Sequence, residues 1–194
     1  MRRVDFPETV RAHRVESVLS EADLERALTA GRKARYRPVD KGNGKVLYVA
    51  PVPEFVNRTL HQAMEFALGR RLLEIASFYR LNSGELDVDF RVHCDSIIQG
   101  QRPTHACVFY LEDCDRSGTA LFTHPEHGLE DPDQLSVFDE DDGKWEAYLK
   151  NYAKANSMFV YDSALYHARF PWVSKGHTRR DGRIVVVKFM RDIT

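Results

Sequence analysis

A histidine and an aspartate stand one residue apart in the stretch FRVHCDSII, residues 90 to 98. Its β-branched and aromatic texture is that of a strand. Alternate side chains of a strand share a face, which would set His93 and Asp95 side by side. An imidazole and a carboxylate placed that way are either a hydrogen-bonded pair in a half-buried wall or two ligands of one metal ion. With 8 histidines and 29 acidic residues in 194, about one His-x-acid spacing is expected by chance. The pair therefore points to metal only if a third ligand can reach it.

The stretch NSMFVYDSALYHARFP, residues 156 to 171, offers one. An apolar strand runs into Asp162 and Ser163, and His167 follows at its end. Two histidines and one carboxylate can occupy one face of an octahedron and leave three positions open, the arrangement associated with non-heme Fe(II) oxygenases.

The elements that must position these residues read as helices first and strands afterwards. Ser20 precedes Leu24, Ala27 and Leu28, with acidic residues in the first turn and Gly31 beyond, the pattern of a capped helix. A second helix is expected from about Pro53, with Phe55, Leu60, Met64, Leu68 and Leu72 near helical spacing and a weak point at Gly69. After Gly84 come short alternating or β-branched segments, LDVDFRVHCDSII, HACVFYLED, TALFTH, SMFVYDS and GRIVVVKFM, separated by the turn-rich QGQRP, DCDRSG and SKGHTRRDG. One later segment, DGKWEAYLKNYAKAN, reads as a short helix inserted between strands. The economical architecture is a helical N-terminal layer on an antiparallel sandwich or barrel.

Composition bounds the function. The chain is 43% hydrophobic and 29% charged, which suits one globular domain with a sizeable core. A net charge of -1 gives no electrostatic reason to expect nucleic acid or an anionic membrane as partner. The N-terminal MRRVDFPETVRAHRV has no apolar region after its basic residues, and no apolar run is long enough to span a bilayer, so a cytoplasmic protein is expected. Cys94, Cys107 and Cys114 are odd in number and lack CxxC spacing, which argues against a disulfide framework or a zinc knuckle.

From about Arg80 to Met190 the chain resembles the double-stranded β-helix of the 2-oxoglutarate and Fe(II)-dependent oxygenases, in particular their prolyl-hydroxylase-like branch. HCD, THACVFYLEDCDRSGTALF, NSMFVYDSALYHARFP and DGRIVVVKFM stand in that family's order. The resemblance implies a single domain over residues 1–194: a helical support over 1–79, then a jelly-roll, cupin-like core over 80–194 with an inserted segment near 129–156. It implies Fe(II) as cofactor and 2-oxoglutarate and O2 as cosubstrates. His93, Asp95 and His167 match the metal ligands. Arg183 matches the basic residue that grips the far carboxylate of 2-oxoglutarate, a role that suits a planar guanidinium. Tyr110 is similar to a family tyrosine that assists at the same carboxylate. Lys175, Arg179 and Arg180, in the loop before Arg183, compete with it for the clamp.

The reaction implied is hydroxylation of a C–H bond, with succinate and CO2 released, on a small molecule, amino acid or peptide. Arg91, Arg169 and Trp172 are candidate substrate contacts, and a basic group near the metal suits a substrate carboxylate. His124 and His127, spaced HxxH, read as a surface turn beside Pro125 and Gly128, and the acidic FDEDDGK as a solvated loop. A non-catalytic β-sandwich binding module and a metal-dependent hydrolase are the rival readings, and succinate release separates them from an oxygenase.

Overall fold

The computed structural model describes residues 1–40, 46–87, 91–135, 138, 143–171, 176, 178 and 180–193. Eleven strands and two α-helices lie among them: β1 Arg2–Asp5, β2 Ala12–Glu16, α1 Glu21–Lys33, β3 Arg37–Asp40, β4 Val46–Ala50, α2 Glu54–Leu68, β5 Leu72–Asn82, β6 His105–Tyr110, β7 Cys114–Thr123, β8 Glu146–Ala153, β9 Ser157–Asp162, β10 His167–Arg169 and β11 Arg183–Asp192. They form an eight-stranded sheet in the order β1-β2-β9-β6-β11-β5-β4-β3 and a three-stranded sheet in the order β10-β7-β8. Every paired neighbour is antiparallel. This is the jelly-roll expected from the sequence.

Strand alternation sorts β11 into two faces. Ile184, Val186 and Met190 face outward and pack with Leu60, Met64 and Ala67 of α2 and Ala27 of α1. Val185, Val187 and Phe189 face inward, toward Leu121 of the smaller sheet and Phe159. The outward face also buries Lys188 completely, where its ammonium donates to Asn57 Oδ1 at 2.7 Å and to Glu74. Ser20 caps α1 by accepting from the Asp23 N–H, and α2 ends at Gly69 in the left-handed region, φ 66°.

Several local expectations are corrected. Four strands and the start of a fifth lie within residues 1–79, so the N-terminal part is not a purely helical support. The long run expected as helix ends at Leu68, and Leu72 onward is β5, because Gly69 turns the chain and β5 is the inner partner of β11. Within DGKWEAYLKNYAKAN, Glu146–Ala153 forms strand β8 rather than a helix. Its Ala147, Leu149, Asn151 and Ala153 alternate inward and it pairs with β7 along its length, so sheet pairing outweighs a weak helical pattern. Of FDEDDGK, residues 139–142 lie outside the described residues. No helix among the described residues is long and apolar enough to cross a membrane.

Candidate active site

His93 and Asp95 do not sit on a regular strand. Residues 91–98 make isolated bridges instead, at His93 and at Ile98, and the first of these together with a main-chain bond from Asp95 fixes the pair. The His93 N–H donates to the His167 carbonyl at 3.0 Å and the His167 N–H returns to the His93 carbonyl at 2.8 Å. Two residues on, the Asp95 N–H donates to the Ser163 carbonyl at 2.9 Å. The alternation inferred from the sequence thus gives way to a narrow backbone ladder that places the same side chains together.

The donor atoms of His93, Asp95 and His167 all lie within 4.8 Å of one another, and they are the one such His/Cys/Asp/Glu group among the described residues. His167 Nε2 stands 3.5 Å from Asp95 Oδ1. Each imidazole is anchored through its other nitrogen: His93 Nδ1 lies 2.9 Å from the Arg91 carbonyl and His167 Nδ1 lies 2.9 Å from the Leu165 carbonyl. A carbonyl can only accept, so both Nδ1 atoms carry the proton and both Nε2 lone pairs are left for a cation. Asp95 is 8% exposed, and its Oδ2 is buried without a hydrogen-bond partner. A buried carboxylate oxygen with no donor is costly unless a cation completes it. The donor set therefore fits a divalent transition metal such as Fe(II).

The three donors open onto a cavity of ≈ 730 Å³ between the two sheets, lined on one side by Phe78, Val108, Val187 and Phe189. Arg183 lines the same cavity, 7% exposed. Its Nη1 donates to Ser117 Oγ at 2.6 Å and to the Gly118 carbonyl at 3.3 Å, whereas its Nε is buried with no partner. Burial pulls its pKa down from the usual arginine value, opposed by the nearby Tyr110. The guanidinium is thus fixed through Nη1 and keeps an unused Nε donor at the cavity wall, as a carboxylate clamp requires.

Tyr110 is 1% exposed and is not among the residues lining the cavity. Its hydroxyl donates to Thr119 Oγ1 at 2.8 Å and accepts from Asn151 Nδ2 at 3.4 Å. Burial pushes its pKa up, so it stays a donor. Thr119, whose Gly118-Thr119 dipeptide was legible only as a strand motif, is the member of this network that lines the cavity.

Arg91 and Arg169 both line the cavity; Arg169 Nη2 donates to the Asp87 carbonyl at 3.0 Å, and the Arg91 carbonyl is the one that orients His93. Arg180 is exposed, is not a lining residue, and its carbonyl accepts from Arg32. Trp172, Lys175 and Arg179 lie outside the described residues. The HxxH histidines sit on a tight turn, closed by reciprocal bonds between His124 and Gly128. Only His127 is exposed, since His124 is buried against Trp145, which corrects half of the surface expectation.

Sequence reasoning also missed Tyr161. Its ring lies 4.7 Å from that of His167, centroid to centroid, and it lines the cavity. Burial, then the charge of Asp95, pushes its pKa well above the usual tyrosine value, so the phenol keeps its proton beside the triad. Its position at the end of SMFVYD, six residues before His167, was the available signal.

No protein-family model matches the sequence, and no curated protein matches it. Solved structures do match. SnoN, a non-heme α-ketoglutarate-dependent epimerase from nogalamycin biosynthesis, superposes with a TM-score of 0.64 at 16% identity, over 95% of this chain and 79% of SnoN. HygX from Streptomyces hygroscopicus, solved with nickel and 2-oxoglutarate bound, gives 0.61 at 11% identity, over 95% and 84%. A Pseudomonas putida prolyl-4-hydroxylase gives 0.55 at 17% identity, over 96% and 95%. The fold is that of non-heme, 2-oxoglutarate-dependent enzymes. At these identities the match speaks for the fold, and the roles of residues rest on the geometry of this chain.

Proposed function

We propose that the chain is a single-domain Fe(II)- and 2-oxoglutarate-dependent dioxygenase that hydroxylates a C–H bond of a small-molecule or peptidyl substrate. The observation that carries this reading is the sharing of one cavity by the His93, Asp95 and His167 donors and Arg183, whose Nε has no partner. A binding module has no use for that combination, and a hydrolase has no use for the clamp.

Bound there, Fe(II) and 2-oxoglutarate supply the oxidising power, with O2 consumed and succinate and CO2 released. His93 and His167 hold the metal through Nε2, their rings fixed by the Arg91 and Leu165 carbonyls. Asp95 adds the third ligand and the negative charge that offsets the cation. A carboxylate at this position speaks against halogenation, because it leaves no ligand site for a halide, and hydroxylation is proposed ahead of desaturation or ring formation. Arg183 takes the far carboxylate of the cosubstrate, with Thr119 beside it and Tyr110 holding the Thr119 hydroxyl. Val108, Val187 and Phe189 keep that pair dry, which strengthens it.

Anaerobic titration with Fe(II) and then 2-oxoglutarate tests the reading without knowledge of the substrate. Chelation of the ferrous site should produce a visible charge-transfer absorption, followed by succinate release when air is admitted. Metal binding without either signal would leave the hydrolase reading in its place.

A further inference from the structure

We infer that Arg37, on the edge strand β3, anchors the anionic head of the substrate, and that the substrate is an elongated acid whose apolar body lies on β3 and β4. The inference rests on the proposed oxygenase reading and adds the chemical class of its substrate.

The cavity does not end at the triad. Arg37 pairs with Val49, Val49 with Arg80, and Arg80 with Val185, so one row of side chains crosses the inner face of the large sheet from β3 to β11. All four line the cavity. The adjoining pair, Val39 and Leu47, lines it too. Three strand spacings place Arg37 about 14 Å from Val185. Arg37 thus stands at the outer end of the row and Val185 at its inner end, in the cavity that also holds the triad. At the mouth of this channel Val39 is 39% exposed, and on the facing lip Ile97 is 54% exposed. These aliphatic surfaces are suited to the body of a ligand.

Charge selects the head group. Among the described residues, the charged side chains lining the cavity are Arg37, Arg80, Arg91, Arg169 and Arg183 against the single carboxylate Asp95. Arg80 is engaged by the buried Asp87. Arg183 and Asp95 are assigned to cosubstrate and metal. No lining carboxylate among the described residues is left to receive a substrate cation, whereas Arg37 is an exposed guanidinium for which the structure shows no hydrogen bond or ion pair with a described residue. An arginine at the rim of a low-dielectric wall attracts anions and disfavours amines. Carboxylates and phosphate esters share the required chemistry.

Three probes with one apolar body separate the possibilities: 6-phenylhexanoate, 6-phenylhexyl phosphate and 6-phenylhexylamine, each titrated calorimetrically into protein loaded with Mn(II) and 2-oxoglutarate. At least one of the two anions should bind tenfold or more tighter than the amine, and which one does identifies the head group. Arg37→Gln should weaken that anion at least tenfold, and Arg37→Glu should move the preference toward the amine. Mn(II) should broaden the proton resonances of the phenyl ring more than those of the methylene beside the head group. The inference is overturned if none of the three binds, if amine and anions bind alike, if Arg37→Gln binds with wild-type affinity, or if the head-group methylene is broadened most. The thermal shift from Mn(II) and 2-oxoglutarate, recorded on each sample, keeps the two ideas apart. Loss of that shift in the wild type sinks the oxygenase reading, while its persistence alongside any overturning result sinks the Arg37 assignment alone.

Discussion

His93 and His167 hold each other in place: each donates its backbone N–H to the other's carbonyl, and their rings stand 4.5 Å apart, centroid to centroid. The ring anchors repeat as well, since each Nδ1 meets the carbonyl two residues upstream in its own chain segment. Backbone thus aligns backbone, and local carbonyls aim the rings, before any cation is present. A site built this way is organised in advance.

Because the bridge is made by main-chain atoms, removing either ring should spare it. His93→Ala and His167→Ala are expected to fold and to lose at least tenfold in Mn(II) affinity, seen as loss of the Mn(II)-induced rise in Tm. Retention of that rise in both variants would separate the pair from metal binding.

Asp95→Asn should uncouple stability from function. The buried Oδ2 lacks a hydrogen-bond donor, so in the metal-free protein the charge is a liability, and the amide can donate to His167 Nε2 in its place. The metal-free Tm is therefore expected to hold or rise, while Mn(II) affinity falls by at least an order of magnitude. A folded Asp95→Asn protein with wild-type metal affinity and turnover would remove this residue from the site.

Arg183→Ala should keep metal binding and lose 2-oxoglutarate binding by roughly 2–5 kcal/mol, the cost of breaking a desolvated charge pair. It also strands Ser117 Oγ and the Gly118 carbonyl, for about 1–3 kcal/mol of stability. Arg183→Lys supplies the control, since it retains the charge while losing the fork and should restore only part of the affinity. Normal 2-oxoglutarate titration of Arg183→Ala, set against a defect in Arg179→Ala or Lys175→Ala, would move the clamp to the loop.

The legible parts of the sequence were those where a residue type is bound to one geometry. The apolar runs at β6, β9 and β11 stood out because these inner strands are buried almost throughout, and the order His93, Asp95, His167, Arg183 stood out against them. Edge strands were not legible in the same way. β3 and β8 are exposed or alternate weakly, so partner strands rather than propensity determine them. The dipeptide Asn43-Gly44 between two short alternating runs was the available hairpin signal for β3 and β4. Missing it hid Arg37, Val39 and Leu47, which lie far from the triad in sequence but line its cavity. The networks around Tyr110 were hidden for another reason: Thr119 and Asn151 face each other through β7–β8 pairing, a register no motif encodes.

Glu16, at the end of β2, contributes stability that depends on pH. It is 5% exposed and accepts from Arg14 at 2.6 Å, from Lys154 at 3.1 Å and from Arg2. Burial alone would raise its pKa, but the bonds from Lys154, Arg2 and Arg14 outweigh that and hold it at about 2, against 4.5 for an unperturbed glutamate. The folded-state pKa lies below the unfolded one, so the stabilisation is complete above about pH 4.5 and is lost as pH falls through about 2. Glu16→Gln should therefore lower Tm at neutral pH by roughly 2–4 °C for about 1 kcal/mol lost. The gap from wild type should narrow steadily between pH 4.5 and pH 2 as the wild-type carboxyl takes up its proton. Because Glu16 pairs with Ser157 of β9 and with Arg2 of β1, the loss should appear first as fraying of β1, measurable as faster amide exchange at Arg2 to Asp5. A Tm gap that stays constant down to pH 2 would show that the residue stabilises through packing alone and that its three cations are incidental.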